Sequence, residues 1–256
     1  MSQKTIRITA LNLLQGRAAA VVLGLIMTCT GSVLGQPTHA FVQAIDNPQV
    51  AGDPFAVAKE EPGLPRVLLI GDSISIGYTV PVRKLLEAEA NVQRIPENGG
   101  PTTAGLANLK KWLAAGKWDV IHFNWGLHDL KIMPGGDRQV DLENYQANLR
   151  ELVHELQATG ATLIWATTTP VPKEEDRLVV KRHAADVPLY NAAALQVMEE
   201  NHVRVDDLYS FALPRLAQIQ KPADVHYRPE GYQALARQVA ASIEAVLPKK
   251  KQAARK

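Results

Sequence analysis

Cysteine is almost absent from this sequence. The one cysteine among 256 residues, Cys29, lies in an apolar run near the start of the chain. The rest of the chain therefore excludes a disulfide framework, a thiolate metal site and a cysteine nucleophile. Aromatic residues are also few, at 5%, whereas aliphatic residues are plentiful. This balance is typical of a parallel sheet covered by helices, and the length suits one large α/β domain or two small ones.

The central part of the chain also lacks an excess of positive charge. The formal net charge of +2 depends on the two ends, because residues 1–40 hold three basic residues, residues 249–256 hold five, and neither end holds an acidic one. Without these eight, 20 basic residues face 26 acidic ones. A nucleic-acid-binding domain would carry a basic face. We therefore expect no nucleic-acid partner, and we interpret residues 249–256 as a solvated basic tail.

The N-terminal 40 residues have the layout of a secretory signal. Scattered basic residues precede an apolar run from Ala18 to Leu34, and small residues follow it. Since about 17 apolar residues is the lower limit for a membrane span, an uncleaved anchor is the alternative. We expect export to the periplasm or medium, with membrane contact only through this segment if it is uncleaved. Residues 41–64 are rich in proline, glycine and charge, which predicts a linker or a surface extension.

From residue 65 to 248, short apolar runs alternate with helical periodicity. One helix face is indicated by the apolar positions between Leu142 and Leu156, and another by those between Leu235 and Leu247. Strand-helix alternation predicts one α/β domain with a doubly wound parallel sheet of about five strands between two helical layers. The predicted strands are Arg66–Gly71, Val92–Pro96, Val120–Trp125, Thr162–Thr168 and Val203–Leu208.

Polar residues follow these strands where each one ends. In an open parallel sheet, ligands bind at the carboxyl ends of the strands, so these residues are expected to converge. They form four groups: Asp72 and Ser73; Asn98, Gly99 and Gly100; Gly126, His128 and Asp129; and Asp224 and His226 before the last helix.

A serine nucleophile is one chemistry that these groups allow. A serine hydroxyl needs a histidine to take its proton and an acceptor to orient that histidine, and Ser73, His226 and Asp224 supply this set. Each residue also has a structural interpretation. Asp72 or Ser73 could cap a helix, "NGG" could form a turn, and His226 could be a structural residue that only makes hydrogen bonds. Their order along the chain, always at strand ends, favours the catalytic interpretation.

Four segments in this order resemble the motif blocks of the SGNH hydrolases, the GDSL-like lipases and esterases. "IGDSIS" is similar to the nucleophile block, "ENGGPTT" to the block with the oxyanion glycine, "NWGLHD" to the Gly-x-Asn-Asp block, and "DVHYRPEGYQALARQVA" to the block with the catalytic histidine. The resemblance spans about residues 65–247. It implies a three-layer, flavodoxin-like fold and ester hydrolysis through an acyl-enzyme, without metal or cofactor. The Gly-x-Ser-x-Gly elbow of α/β-hydrolases is absent, because residue 75 is serine.

Two positions depart from the family pattern. The family has Asp three residues before the catalytic histidine, where this chain has Ala223, and Asp224 stands two before. Residues two apart in an extended segment point to the same side, so Asp224 can still reach His226, although a carbonyl or another acid could replace it. His128 stands at the position of the oxyanion asparagine. We predict an oxyanion hole made by the Ser73 and Gly100 N–H groups and His128, with Asn124 as the alternative third donor.

The predicted function is hydrolysis of small acyl esters, with acetyl groups on carbohydrate as the first choice of substrate. The departures keep two alternatives open. One is a catalytically degenerate scaffold that binds carbohydrate outside the cytoplasm. The other is a metal-dependent hydrolase using Asp224, His226, His128 and Asp129. The charged segment 171–188 after the fourth strand is either a solvated loop or a flap over the site.

Overall fold

The described part of the chain forms one parallel sheet between two helical layers. A computed structural model describes residues 52–173 and 177–248; the predictions made for residues 1–40 and for the tail 249–256 lie outside them. The strands are β1 (Arg66–Ile70), β2 (Asn91–Arg94), β3 (Val120–Phe123), β4 (Thr162–Ala166) and β5 (Arg204–Asp206), in the sheet order β2-β1-β3-β4-β5. The predicted doubly wound sheet of five strands is confirmed.

Within the described residues, seven α-helices connect and cover these strands. They are α1 (Ser73–Leu85), α2 (Thr102–Leu113), α3 (Leu142–Gln157), α4 (Asp186–Glu200), α5 (Leu208–Ala212), α6 (Leu216–Ile219) and α7 (Pro229–Glu244). Helices α1 and α7 pack together, and on the other side α2 packs on α3 and α3 on α4. No helix in the described ranges is both long and apolar enough to cross a membrane.

Strands β1 and β3 are almost entirely buried. In β1 every residue after Arg66 is buried, and β3 is buried throughout, as a sheet covered by helices on both faces requires. Strand β1 pairs in parallel with β2 on one side and with β3 on the other. Strand order therefore reverses at β1, and this switch point is where ligands bind in open α/β sheets.

Residues 52–64 lie along the edge strand β2. The Gln93 side chain exchanges two hydrogen bonds with the backbone of Ala58, at 3.0 and 2.7 Å. The Asn91 side chain does the same with the backbone of Glu61, at 2.8 and 3.0 Å. These amides imitate the bonds of a missing neighbouring strand, so this part of the predicted extension covers a sheet edge that would otherwise be open.

Candidate active site

Ser73 lies at the end of β1 as the first residue of α1. The helix cap is the preceding residue, Asp72, whose Oδ1 accepts a hydrogen bond of 2.9 Å from the Ile74 N–H. The capping role therefore falls to Asp72, and the Ser73 side chain is partly exposed. As a first-turn residue, Ser73 also has a backbone N–H without a partner inside its helix, at the positive end of the helix dipole.

The structure brings Ser73, His226 and Asp224 together. Ser73 Oγ is 2.9 Å from His226 Nε2, and His226 Nδ1 is 2.7 Å from Asp224 Oδ1. An ionised carboxylate only accepts hydrogen bonds, so Nδ1 carries the proton and Nε2 presents its lone pair to the serine hydroxyl. The hydrogen bond from His226 lowers the pKa of Asp224, against the opposing effect of burial. Asp224 therefore stays ionised at neutral pH and holds this tautomer.

The contact between Asp224 and His226 depends on a tight turn. Asp224 Oδ1 also accepts a 3.1 Å hydrogen bond from the backbone N–H of His226, two residues on, which is the Asx-turn pattern. The preceding residue, Ala223, has a φ of 51°, in the left-handed region that alanine rarely adopts. The segment is thus a turn, where the sequence predicted extended chain. The turn brings the carboxylate back to the ring, which is how the shifted Asp reaches the histidine.

The loop holding Gly99 and Gly100 lies directly beside the end of β1. Gly99 N–H donates to the Gly71 carbonyl at 3.0 Å, and a Cβ at Gly99 would lie 3.0 Å from that same oxygen. Gly100 has a φ of 60°, which favours glycine. Its N–H donates to Asn98 Oδ1 at 3.0 Å. The Gly100 N–H can serve an oxyanion only by sharing or exchanging this bond.

Asn124, the alternative oxyanion donor, is engaged elsewhere. Its side-chain amide donates to the Ala166 carbonyl at 2.7 Å and, more weakly, to Thr168 Oγ1 at 3.4 Å. Both amide protons thus join the end of β3 to the end of β4. The side chain also lines a small cavity behind Asp72. This arrangement favours a structural role for Asn124 over the oxyanion role.

His128 lies in a helical turn just after β3. The turn is closed by a 3.0 Å hydrogen bond from the Leu130 N–H to the Gly126 carbonyl. His128 Nδ1 is 2.9 Å from Lys131 Nζ, three residues on. Burial lowers the pKa of His128 well below its usual 6.5, and the charge of Lys131 acts in the same direction. The imidazole is therefore neutral at neutral pH.

Asp129 joins two of the predicted groups. Its Oδ1 accepts hydrogen bonds from the Thr102 N–H at 2.8 Å and from the Thr102 hydroxyl at 2.5 Å. These bonds cap α2 from another element, since the helix's own N-cap residue, Pro101, makes no side-chain bond. Burial raises the pKa of Asp129 to about 6, against the opposing effect of the bonds from Thr102. Asp129 thus holds the loop of Gly100 and the turn of His128 in a fixed relation.

Comparison with known proteins identifies the family. A family model for the GDSL-like lipase/acylhydrolase family matches residues 69–234, which is more than half of the chain. The chain belongs to this family. The match confirms the resemblance in the sequence motifs, and it extends over all four predicted groups at the strand ends.

Solved structures of acylhydrolases share this fold. The lipase/acylhydrolase from Enterococcus faecalis has a TM-score of 0.63 at 22% identity, over 74% of this chain and 100% of that one. The acetylxylan esterase Axe2 from Geobacillus stearothermophilus has a TM-score of 0.58 at 21% identity, over 70% and 94%. The acetyl xylan esterase AlAXEase has a TM-score of 0.60 at 14% identity, over 70% and 99%. At these identities the likeness shows the fold alone. No match was found among curated proteins.

Lys181 and Arg182, in the segment after β4, form a rim against the loop that holds His128. Within the described residues of this segment, the Arg182 Nε donates to the Leu127 carbonyl at 2.7 Å, and the Ile132 N–H donates to the Lys181 carbonyl at 2.9 Å. Arg182 is buried, which lowers its pKa to about 10, while the charges of Asp72 and Asp224 oppose this shift. Sequence reasoning missed Arg182, because a charged segment between prolines does not show which cation turns inward.

Two further acidic residues, at the end of β5, have structural partners. The buried Asp206 accepts from the Gln238 amide at 3.0 Å and lies 3.1 Å from His122 Nε2. Asp207 caps α5 by accepting from the Ser210 N–H. Both side chains therefore have structural roles. Across residues 52–173 and 177–248, no three His, Cys, Asp or Glu side chains are grouped to hold a metal ion.

Proposed function

We propose that this GDSL-like acylhydrolase hydrolyses small acyl esters, with acetyl esters of carbohydrates as the preferred substrates, through an acyl-enzyme on Ser73. The observation that carries the proposal is the continuous chain of contacts from Ser73 Oγ to His226 Nε2 and from His226 Nδ1 to Asp224. Supporting the substrate class, two of the similar solved structures are acetylxylan esterases.

The geometry supports the following sequence of steps. His226 Nε2 takes the hydroxyl proton as Ser73 Oγ attacks the ester carbonyl carbon, and Asp224 stabilises the imidazolium that forms. His226 then returns that proton to the departing alcohol, which leaves the acyl group on Ser73. A water molecule, deprotonated in turn by His226, attacks the acyl-enzyme and releases the acid. The free enzyme is restored with its proton on the serine.

The negative charge that develops on the carbonyl oxygen needs preorganised donors. The Ser73 N–H at the start of α1 is one, and the Gly100 N–H and His128 are the other two that we assign. In other acyl-transfer enzymes, removal of one such donor lowers kcat by about 10²- to 10³-fold. Since Asn98 accepts from Gly100 N–H, we expect the oxyanion to take over that hydrogen bond.

Turnover of 4-nitrophenyl acetate by the full chain and by Ser73→Ala tests the reaction. We expect rapid hydrolysis by the wild type, none above background in Ser73→Ala, and one acetyl group on the Ser73 peptide by mass spectrometry after rapid acid quench. Ser75→Ala is a matched control, because Ser75 lies in the same turn but its hydroxyl donates to the Asp72 carbonyl. Equal turnover in the wild type and Ser73→Ala would refute the assignment.

The substrate class requires a separate measurement. We expect acetyl release from acetylated xylo-oligosaccharides at a higher kcat/KM than hydrolysis of 4-nitrophenyl esters with long acyl chains. The reverse order would point to lipid esters. Specific carbohydrate binding that survives Ser73→Ala, with no turnover in any variant, would support the binding scaffold instead.

The cellular location is part of the same proposal. We expect residues 1–40 to direct export, which would bring the enzyme to extracellular or periplasmic esters. Fusion of these residues to a reporter that is active only outside the cytoplasm tests this, with the reporter alone as the control.

A further inference from the structure

The His128 ring can donate a hydrogen bond from Nε2 only in some of its forms. A neutral imidazole carries one proton, on Nδ1 or on Nε2, and the two tautomers exchange their donor and acceptor sides. An oxyanion facing Nε2 would be stabilised by one tautomer and repelled by the lone pair of the other. An asparagine at this position would have no such ambiguity, because its amide nitrogen always donates.

The neighbouring lysine resolves this ambiguity. Lys131 Nζ is 2.9 Å from His128 Nδ1, and an ammonium group has three donors and no acceptor. Nδ1 must therefore present its lone pair to Lys131, so the single ring proton lies on Nε2. Within the described residues, Nε2 has no hydrogen-bond partner and is not among the buried unpaired atoms, so this N–H remains available.

Burial, together with the neighbouring cations, keeps the ring in the neutral form. A proton on Nδ1 would face the Lys131 ammonium, and burial, Lys131, Arg182 and His226 all lower the pKa of His128, with only Asp72 opposing them. Burial and Arg182 also lower the pKa of Lys131 from 10.5, while Asp72 and Asp129 raise it. The charges that act on the ring include those of Asp72, next to Ser73 in the chain, and His226, which contacts Ser73 Oγ.

Lys131 is held in place by the local fold. Residues three apart in a helical turn lie on one side, which brings Lys131 over His128. The Lys131 carbonyl accepts from the Gln139 N–H at 2.7 Å, and the next residue, Ile132, donates to the rim at Lys181. The side chain is partly buried between these segments. The lysine is thus fixed at both its backbone and its amine.

We propose that Lys131 is a positioning residue that fixes His128 in the Nε2–H tautomer, so that His128 donates to the oxyanion in place of the asparagine of the family. The inference rests on the proposed function for its catalytic consequence. The tautomer itself is a property of the resting protein and can be measured without any substrate.

Nitrogen NMR of the full chain labelled with ¹⁵N-histidine tests the tautomer directly. We expect His128, assigned from its missing signals in His128→Asn, to show a protonated Nε2 and an unprotonated Nδ1 at neutral pH. In Lys131→Met we expect a shift toward the tautomer average, and in Lys131→Arg, which keeps a donor, we expect the wild-type pattern. A protonated Nδ1 in the wild type, or no change in Lys131→Met, would overturn the proposal.

Kinetics with 4-nitrophenyl acetate tests the consequence. Lys131→Met should lower kcat by about tenfold or more, up to the 10²- to 10³-fold ceiling for a lost oxyanion donor, with little change in KM. In the His128→Asn background the same substitution should change kcat less than about threefold, because the amide donates without help. Equal losses in both backgrounds would refute positioning through His128.

A matched variant separates this role from general loss of charge or stability. Lys181→Met removes a cation from the same rim, and its side chain is exposed, so kcat should stay at the wild-type level. An equal loss in Lys181→Met would contradict the proposal. If the wild type hydrolyses no ester, the proposed function fails, whereas the NMR experiment still confirms or overturns the tautomer.

Discussion

Replacement of Asp224 by asparagine tests the central contact of the site. Asp224 Oδ1 accepts from both the ring Nδ1, at 2.7 Å, and the backbone N–H of His226, at 3.1 Å. Because one oxygen accepts both bonds, an asparagine that keeps its oxygen there is a neutral acceptor and no longer stabilises the imidazolium by charge. An asparagine that turns its amide toward Nδ1 favours the tautomer in which Nε2 carries the proton and cannot take one from Ser73.

The size of the effect follows from this change of tautomer. In the serine protease triad, the same substitution lowers kcat by about 10⁴-fold, or about 5 kcal/mol of barrier. The Asp224 side chain is 39% exposed, so water can replace part of its effect. We therefore expect Asp224→Asn to lower kcat/KM by about 10²- to 10⁴-fold, with unchanged thermal stability.

The assay is hydrolysis of 4-nitrophenyl acetate by the full chain near neutral pH. Asp141→Asn is the matched control, because Asp141 caps α3 at the protein surface and asparagine is an equally good cap; its kcat/KM should equal the wild-type value. Since the Asp224 site is open to solvent, formate should restore part of the activity of Asp224→Ala. If Asp224→Asn retains kcat/KM within about threefold of wild type, Asp224 does not orient His226 and the reasoning is refuted.

Three further predictions concern the residues that hold the site. Because the folded-state pKa of Asp129 is raised to about 6, its contribution to stability is full below about pH 4 and is lost as the pH rises through 6. In urea unfolding, the free energy of unfolding of Asp129→Asn, relative to that of the wild type, should rise by about 3 kcal/mol between pH 4 and 7. A difference between the two proteins that stays constant with pH would contradict this. Asn124→Ala should lower the unfolding free energy by about 1–3 kcal/mol through the unpaired Ala166 carbonyl; a kcat loss of 10²-fold or more would restore Asn124 as an oxyanion donor. Gly99→Ala places a Cβ 3.0 Å from the Gly71 oxygen, so kcat should fall by about 10- to 100-fold as the loop shifts; an unchanged kcat would show that the loop tolerates the shift.

Hydrophobic patterning predicted the elements well and their ends less well. Each of the five predicted strands is present, but β3 ends at Phe123 and not at Trp125, because the apolar run continues into the buried loop. Helix α4 begins at Asp186, and its cap, Ala185, makes no side-chain hydrogen bond. A helix start without a capping side chain leaves no signal in the sequence.

The contacts in the active site were also only partly predictable from the sequence. The order of polar residues at strand ends predicted that Ser73 and His226 would meet, because parallel strands present their carboxyl ends on one edge. The contact between Asp224 and His226 was predicted for extended chain and is instead made by a turn with Ala223 in the left-handed region. An alanine gives no sequence signal for a left-handed backbone conformation, because that conformation is imposed by the surrounding loop.

Sequence patterns alone were enough to predict the α/β class, the order of the elements and the set of polar residues at the edge where ligands bind. Apolar periodicity and strand-end position are local properties of the chain, so they can be recognised without knowledge of the tertiary contacts. The folded structure was needed to show that the donors of Asn124 and Gly100 are already engaged, with Ala166 and Asn98, whereas His128 accepts from Lys131 and keeps Nε2 for donation. Hydrogen bonds depend on distances and directions that are fixed only when the chain packs. Residue type alone therefore does not show which partner a side chain binds.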